Sequence, residues 1–190
     1  MFSDSSQHAL SPVLKQKTTT DNVFSKALQE LKSSGIYWNN LSREESELKL
    51  AFCKAGYFLI RDSSASSCIF TLSLKGNRKV LHIRIIYCNG RFSLESEYQE
   101  REQTFESIVN MLDHYIGKAK IGPSITLVSR KGRKTHVKLL TPLRHCCPSL
   151  KHLCRVKINN SSAGCMDVRE LEQFLPHEMR QYCKEYPFKI

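Results

Sequence analysis

The feature that most constrains the fold is an apolar run that ends in a charge. Residues 56–61 read G-Y-F-L-I-R, and a short run of this kind after a glycine is typical of a strand buried on both faces. A guanidinium at the end of such a strand needs an anion or a full set of hydrogen bonds. Four of the six residues after Arg61 are serines. Hydroxyls, backbone N–H groups and a forked cation together suit a phosphate group.

Arg61 also has a purely structural interpretation, in which it pairs with an acid that is distant in the sequence. Asp62 is adjacent, but strand alternation directs its side chain to the opposite face of the sheet. No other acid neighbours Arg61 in that alternation. The serine-rich loop therefore favours an anion site, and the distant ion pair remains the alternative.

The elements around this strand predict an α+β fold, a central antiparallel sheet with one helix on each face. Ser42 and Glu45 form a capping-box pattern that starts a helix running to about residue 53. Asn89-Gly90 predicts a hairpin turn. Apolar residues at helical spacing predict a second helix over 105–116. The predicted strands are 56–61, 68–74, 80–87 and 91–94, with a last strand suggested by Val137 and Leu139.

Composition and periodicity divide the chain into four parts. Residues 1–22 lack apolar periodicity and are interpreted as a disordered tail. Residues 23–35 form a short amphipathic helix that stops at Gly35, and residues 36–141 form the sheet domain. Residues 142–190 predict a small all-helical region, whose apolar stripes are too few for an independent core and need the first domain or a partner.

The formal net charge of +11 favours acidic partners. The charge is local, because residues 117–138 hold seven Lys or Arg and no acid. Eight cysteines are too few for a disulfide scaffold, and no apolar stretch is long enough for a signal core or for insertion into a membrane. We therefore expect a cytoplasmic protein with reduced thiols and no cofactor. A nucleic-acid-binding protein is the alternative that the basic charge suggests.

The string F-L-I-R-D-S-S at 58–64, preceded by Trp38 and the capped helix, resembles the Src-homology-2 (SH2) domain. This resemblance implies that the protein binds phosphotyrosine and that Arg61 makes two hydrogen bonds to the phosphate. His82 is either a residue lining the phosphotyrosine ring or an ordinary sheet histidine. The other pocket positions that the resemblance implies are Ser63, Ser64, Thr71, Arg84 and Arg43, the last with a solvated helix-face charge as its alternative.

The basic stretch falls near a loop that reads residues after the phosphotyrosine in SH2 domains. Our hypothesis is that Arg130, Lys131, Arg133 and Lys134 favour acidic phosphopeptides. A solvated loop and a nuclear-localisation signal are the alternatives for the same residues.

The helical region carries a second motif in S-L-K-H-L-C-R-V-K-I at 149–158. Leu150, Cys154 and Ile158 recur at i, i+4 and i+8, so they share one helix face that a groove could accept. The motif resembles the elongin-binding box of the suppressor of cytokine signalling (SOCS) family. The resemblance implies an all-α SOCS box that binds elongin B and elongin C through Leu150, Leu153, Cys154 and Ile158.

The cullin-contacting box of that family usually reads L-P-x-P, and here the matching run is Q-F-L-P at 173–176. Only its second half is retained. Leu175 and Pro176 are therefore the candidate contacts to cullin-5, and elongin binding is the firmer inference.

Together the motifs predict an adaptor and not an enzyme. The SH2 domain would capture a tyrosine-phosphorylated receptor or kinase segment, and the SOCS box would link it to a ubiquitin ligase, with negative feedback on cytokine signalling as the result. The alternative is a competitive blocker that recruits no ligase. No catalytic motif is present, and the cysteines near His145 lack the usual spacing of zinc ligands, so no metal site is predicted.

Overall fold

The structure is a computed structural model that describes residues 12–64, 68–95, 103–128, 133–161, 175–186, 188 and 190, with backbone only for 12–21, 128 and 161. These ranges contain five helices and eight strands. No helix within them is long and apolar enough to cross a bilayer. The architecture is α+β, with a sheet domain followed by a helical region, as predicted.

The central sheet has six strands. Its antiparallel part follows the predicted meander, with β2 (Tyr57–Asp62), β3 (Phe70–Lys75), β4 (Val80–Cys88) and β5 (Arg91–Leu94) in that order. Two short strands, β1 (Tyr37–Trp38) and β8 (Thr141–Pro142), pair in parallel with the free edge of β2. The sheet is therefore mixed and not purely antiparallel. Strands of two residues carry no alternation that a sequence pattern can reveal.

The two faces of the sheet have different chemistry. Phe58, Ile60 and Leu72 point to the face covered by α1 (Pro12–Ser34) and α3 (Ile108–Ala119), where they join the hydrophobic core. The intervening residues, among them Arg61, Thr71 and Ser73, point to the face covered by α2 (Arg43–Ala51). Strand alternation thus separates the apolar core from a polar layer beneath α2.

The predicted helix starts and turns are confirmed at two points and shifted at a third. The Ser42 hydroxyl accepts from the Glu45 backbone N–H at 3.1 Å, and the Glu45 carboxylate accepts from the Ser42 N–H at 2.8 Å, which completes the capping box. The Asn89-Gly90 turn has positive φ at both residues. Helix α3 begins at Ile108, because the backbone of Phe105 pairs with that of Phe92 instead.

The N-terminal helix is longer than the pattern predicted. Helical backbone extends from Pro12, whereas ordered structure was expected from Val23 and the preceding residues were interpreted as a tail. Ala27 and Leu31 are buried in the core, so the predicted amphipathic face packs as expected. Residues 1–11 lie outside the described part of the chain.

The segment after α3 forms a separate hairpin. β6 (Ile125–Val128) and β7 (Lys134–Val137) pair antiparallel with each other. The suggested last strand at 137–139 is therefore displaced, since Leu139 is buried in the core but lies outside any strand.

The helical region is joined to the sheet domain by close packing. It comprises α4 (Leu150–Ser161) and α5 (His177–Lys184), with α4 ending three residues later than the predicted stripe. Tyr186 and Ile190 belong to the same hydrophobic core as Leu31, so the end of the helical region packs against the first domain, which is one of the two predicted possibilities. Leu171 and Phe174, apolar residues that precede Leu175, lie outside the described residues.

The linker between the two regions is also fixed. The Arg144 guanidinium donates to the Ser34 carbonyl at 3.0 Å, and the His145 N–H donates to the Gly35 carbonyl at 2.7 Å. Gly35 has φ +71°, and a Cβ at that position would lie 2.6 Å from the Cys146 carbonyl oxygen. Only glycine fits this joint without backbone movement.

Candidate anion pocket and C-terminal groove

Arg61 lies on β2 beneath α2, where its side chain is only 5% exposed. Its Nε donates to the Ser73 hydroxyl at 3.2 Å, and its Nη1 donates to the Asp62 carbonyl at 2.8 Å. No ion pair among the described residues involves Arg61. The Asp62 carboxylate instead accepts from the Tyr37 hydroxyl and the Asn40 N–H, on the side that strand alternation predicted.

A chain of hydrogen bonds, here called the polar bridge, connects Arg61 to Arg43. The Ser73 hydroxyl lies 3.0 Å from His82 Nδ1, and His82 Nε2 lies 3.0 Å from the Glu47 carboxylate. Arg43 Nε donates to the same Glu47 oxygen at 3.2 Å. The polar bridge thus links β2, β3, β4 and α2.

The protonation state of the polar bridge follows from its contacts. Burial lowers the pKa of His82, with Arg43 and Arg61 acting in the same direction against Glu47. A neutral His82 must carry its proton on Nε2, because the Glu47 carboxylate can only accept. His82 Nδ1 then accepts from Ser73, whose oxygen accepts from Arg61. Burial also lowers the pKa of Arg61, and the nearby Arg43 adds to this effect.

Above Arg61 lies an open cavity of about 400 Å³. It is lined by the end of β2, the loop after it and the start of α2. The predicted residues that it brings together are Arg61, Ser63, Ser64 and Arg43. With Ser42, two guanidinium groups and three serines therefore line one cavity at the N-terminus of a helix, a position that favours a bound anion.

Two other predicted pocket residues do not line this cavity. Thr71 is buried on β3 directly opposite Arg61 in the sheet register, and Arg84 follows on β4 opposite Thr71. Arg84 Nη1 donates to both oxygens of Glu95, at 3.1 and 3.2 Å. Arg84 therefore has an acidic partner, whereas Arg61 has none among the described ion pairs.

Some residues of the site were not identified from the sequence. Asn40, Leu41 and Glu44 line the cavity beside the predicted set. The left-handed backbone of Asn40, with φ +55°, has a sequence signal in the Asn-Asn pair before the capping box. The Glu47–His82 contact has none, because the two residues are 35 positions apart.

Helix α4 presents the second candidate site. Leu150 is 77% exposed, and Cys154 is exposed one turn later on the same face. With Ile158 they line an apolar cavity of about 360 Å³, which Met179 and Tyr182 of α5 close on the other side. Leu153 is also exposed but does not line it. The side chains at i, i+4 and i+8 therefore form one wall of an outward-facing groove between α4 and α5.

Buried polar contacts hold α4 from behind. The Arg155 guanidinium donates to His152 Nδ1 at 3.0 Å and to the Tyr182 carbonyl at 3.2 Å, and it stacks on the Tyr182 and Tyr186 rings. Asn159 Nδ2 donates to the Tyr186 carbonyl at 2.7 Å. Burial, then Arg155 and Arg144, lower the pKa of His152 to about 4. None of these contacts was predicted from the sequence.

Other predicted residues have simpler surroundings. Leu175 is half-buried and Pro176 is exposed, both just before α5. Arg133 and Lys134 are exposed at the start of the second hairpin strand, while Arg130 and Lys131 lie outside the described residues. Within the described part of the chain, no three His, Cys, Asp or Glu side chains form a group that could hold a metal ion.

Comparisons with known proteins identify both regions. A family model of the SH2 domain matches residues 36–115, and a family model of the SOCS box matches residues 146–184. "Suppressor of cytokine signaling 2" from Homo sapiens is 34% identical over 167 residues, which covers 87% of this chain and 81% of that protein. The chain belongs to the suppressor of cytokine signalling family.

The relatives of this family member include two types of protein. "Cytokine-inducible SH2-containing protein" from Gallus gallus is 34% identical over 181 residues, covering 87% of this chain and 71% of that protein. The protein of the same name from Rattus norvegicus is 29% identical over 193 residues. The chain is therefore a phosphotyrosine-binding member of a family of signalling suppressors, and its two matched domains are adaptor domains.

Proposed function

We propose that the protein is the substrate-recognition adaptor of an elongin B/C–cullin-5 ubiquitin ligase and that it restrains cytokine receptor signalling. Its SH2 domain would capture a tyrosine-phosphorylated receptor or kinase segment in the cytoplasm, and its SOCS box would recruit the ligase. The observation that carries the proposal is Arg61, a buried guanidinium without a described acidic partner beneath an open cavity. The chain itself would catalyse nothing.

The roles in the pocket follow from the contacts of the arginines. Nε and Nη1 of Arg61 are held by Ser73 and the Asp62 carbonyl, which fixes the plane of the guanidinium under the cavity. A phosphate above it would accept from Arg61 bidentately and from the hydroxyls of Ser63 and Ser64. Arg43 would approach it from α2. Thr71 and Arg84 would act on the phosphotyrosine ring or farther along the peptide.

Binding would depend on phosphorylation for an electrostatic reason. A phosphate carries close to two negative charges near neutral pH and three strong acceptor oxygens. An unmodified tyrosine hydroxyl would displace water from Arg61 without supplying a counter-charge. The cost of leaving buried charge unpaired would then oppose binding.

The groove on α4 suits elongin C by shape and polarity. Leu150, Cys154 and Ile158 offer a large, a small and a large apolar side chain in succession along one helix face. Exposed leucine on a helix that is fixed from behind by Arg155 and Asn159 favours docking into a partner without rearrangement of the helix. Leu153 would contact elongin at the edge of this face.

Cullin-5 would be recruited by the segment that precedes α5. Leu175 and Pro176 precede α5 and are accessible at its N-terminal end. They would supply the only retained half of the cullin-contacting pattern. Degradation of the captured target and simple occupancy of its docking site are both compatible with this arrangement.

Two variants, each expected to lose only one of the two binding activities, test the proposal. Arg61→Lys is expected to weaken binding of a tyrosine-phosphorylated peptide by roughly a hundredfold or more, because a point charge cannot replace the bidentate fork. Elongin B/C should still co-purify with this variant. Leu150→Asp should abolish that co-purification and leave peptide affinity unchanged, since an acidic residue is tolerated in the first turn of a helix.

Matched controls separate the effects. Arg78→Lys changes an exposed arginine outside the pocket, and Asn160→Ala changes an exposed position of α4 that does not line the groove. Both should behave as the wild type. Unchanged peptide affinity in Arg61→Lys would refute the phosphate site. Elongin binding that survives Leu150→Asp and also Cys154→Phe would favour the competitive blocker without ligase recruitment.

A further inference from the structure

The excess positive charge of the chain has one location. Residues 114–166 contain eleven Lys or Arg and no acid, while the rest of the chain contains eighteen of each. The whole net charge of +11 therefore belongs to this acid-free segment. The proposed phosphotyrosine site uses none of these residues.

Four lysines of the segment are exposed near the end of α3 and on the hairpin: Lys118, Lys120, Lys134 and Lys138. None takes part in a described ion pair. Lys134 and Lys138 alternate with the buried Val137, so they lie on the outward face of the chain. Other basic residues of the segment are engaged, as Arg144 and Arg155 are by carbonyl groups.

An exposed apolar side chain lies among these lysines. Ile121 directly follows Lys120 and is 94% exposed. Ser124, three residues later, hydrogen-bonds with Val137 and Leu139 on either side of Lys138. Three residues span at most about 11 Å, so Ile121 lies near the part of the chain that carries Lys138.

We propose that this surface, formed by Lys118, Lys120, Ile121 and Lys138, binds the headgroup region of an anionic membrane. Lysine ammonium groups are attracted to acidic lipid headgroups, and the isoleucine would enter the interface between headgroups and acyl chains. The contact would be peripheral, without a membrane-spanning segment. It is independent of the proposed ligase function.

Two observations favour a lipid surface over a nucleic acid. Residues 117–138 contain no Phe, Tyr or Trp, and stacking on aromatic rings is a main source of affinity for single strands. Five of the seven basic residues in that range are lysines, which act as point charges, whereas arginine provides the fork that recognises individual phosphates.

The membrane surface and the anion pocket can be occupied together. Helix α3 covers the sheet face opposite the one that carries Arg61 and His82. A phosphotyrosine side chain in the cavity would therefore lie away from Lys118 and Ile121. For a target next to a membrane, the two contacts would add and raise the effective concentration of the pocket at its peptide.

The experiment is co-sedimentation of the full chain with phosphatidylcholine vesicles, with and without phosphatidylserine. Only the anionic vesicles are expected to bind the chain, and added salt should weaken binding. Replacing Lys118, Lys120 and Lys138 by Ala should lower the partition coefficient roughly a hundredfold. Ile121→Ser should lower it about tenfold by removing apolar contact.

The matched control replaces Lys32, Lys54 and Lys79 by Ala, which removes the same charge from exposed positions elsewhere. It should bind vesicles like the wild type, and all variants should keep their affinity for the phosphopeptide, which reports an intact fold. Equal binding by both triple variants would overturn the proposal. Binding that is unaffected by Ile121→Ser and is displaced by a single-stranded oligonucleotide would assign the surface to a soluble polyanion and overturn it too.

Discussion

The anion pocket and the C-terminal groove are built in opposite ways. Arg61 is 5% exposed, and its guanidinium is held by a serine hydroxyl and a carbonyl. Leu150 is 77% exposed and faces an apolar groove. One site buries a charge beneath an open cavity, and the other exposes an apolar face.

The difference follows from the forces that each site uses. A charge interacts strongly with a phosphate only where water is already excluded and the donors are fixed, so the pocket must be organised within the fold. Apolar contact gains free energy from the removal of surface from water at the moment of binding, so the groove must remain exposed. Both sites nevertheless depend on buried polar contacts behind them.

The largest expected effect is a loss of stability when Tyr186, which fixes the C-terminal groove to the sheet domain, is replaced. Tyr186→Ala removes a buried ring from the shared core and the stack on Arg155, and should lower the free energy of unfolding by about 3–5 kcal/mol. Urea titration measures this change in the free energy of unfolding. Phe52→Ala, at a side chain that is 99% exposed, should change stability by less than about 0.5 kcal/mol. Equal stability of the two variants would mean that the groove is not anchored in the sheet domain.

The next effect is a pH dependence of stability that comes from His152, behind the C-terminal groove. His152 is 3% exposed and its Nδ1 accepts from Arg155, so the folded state disfavours its protonation and lowers its pKa to about 4. In the unfolded state, His152 binds a proton near pH 6.5. The free energy of unfolding is therefore highest above pH 6.5 and decreases as the pH falls towards 4.

His152→Gln keeps an acceptor for Arg155 and cannot titrate. Between pH 6.5 and 4 the wild type should lose on the order of 3 kcal/mol more than this variant, as measured by urea titration at each pH. Carboxylate effects are common to both proteins and cancel in the difference. Parallel pH profiles would show that His152 is not held neutral.

A smaller effect is expected from the polar bridge behind the pocket. Ser73→Ala removes the acceptor for Arg61 Nε and the donor to His82 Nδ1, so phosphopeptide affinity should fall about tenfold. Calorimetry of peptide binding measures this. Ser107→Ala is the matched control, because Ser107 caps α3 and donates to Glu30 on the other face of the sheet. It should lower stability but not affinity, and an equal loss of affinity in both would refute the role of the bridge.

The smallest effect distinguishes two arginines of the predicted pocket. Both arginines contact an acid, Arg43 through Glu47 and Arg84 through Glu95, but only Arg43 lines the cavity. Because Arg43 is itself exposed, its replacement by Ala should weaken phosphopeptide binding only about fivefold, and Arg84→Ala about twofold or less. Calorimetry again provides the comparison. A larger loss for Arg84→Ala would mean that it leaves Glu95 to meet the peptide.

Patterns that are local in sequence predicted much of this molecule. Ser42 and Glu45 predicted the start of α2, because a capping box involves only residues three apart. Arg61 predicted a candidate anion site at the end of β2, where the structure shows an open cavity. The spacing of Leu150 and Cys154 predicted that they share one face of α4, and the resemblance to the elongin-binding box indicated that this face is exposed.

Features that depend on distant residues were missed. Strands β1 and β8 exist only through pairing with β2, and two residues carry no periodicity of their own. The sequence pattern also placed the start of ordered structure at Val23, because the residues before it lack the apolar spacing of an amphipathic helix, whereas the helix begins at Pro12. Helical backbone can continue beyond the segment that packs on the core.

The amino-acid sequence by itself determined the elements and the residues that carry the chemistry, because capping, alternation and helical spacing act over a few positions. Tertiary structure decided which arginine is paired and which is available. It joined Arg61 to Arg43 through Ser73, His82 and Glu47, and it placed Glu95 beside Arg84. Hydrogen bonds and ion pairs depend on distances across strands and helices, and these distances exist only once the chain has folded.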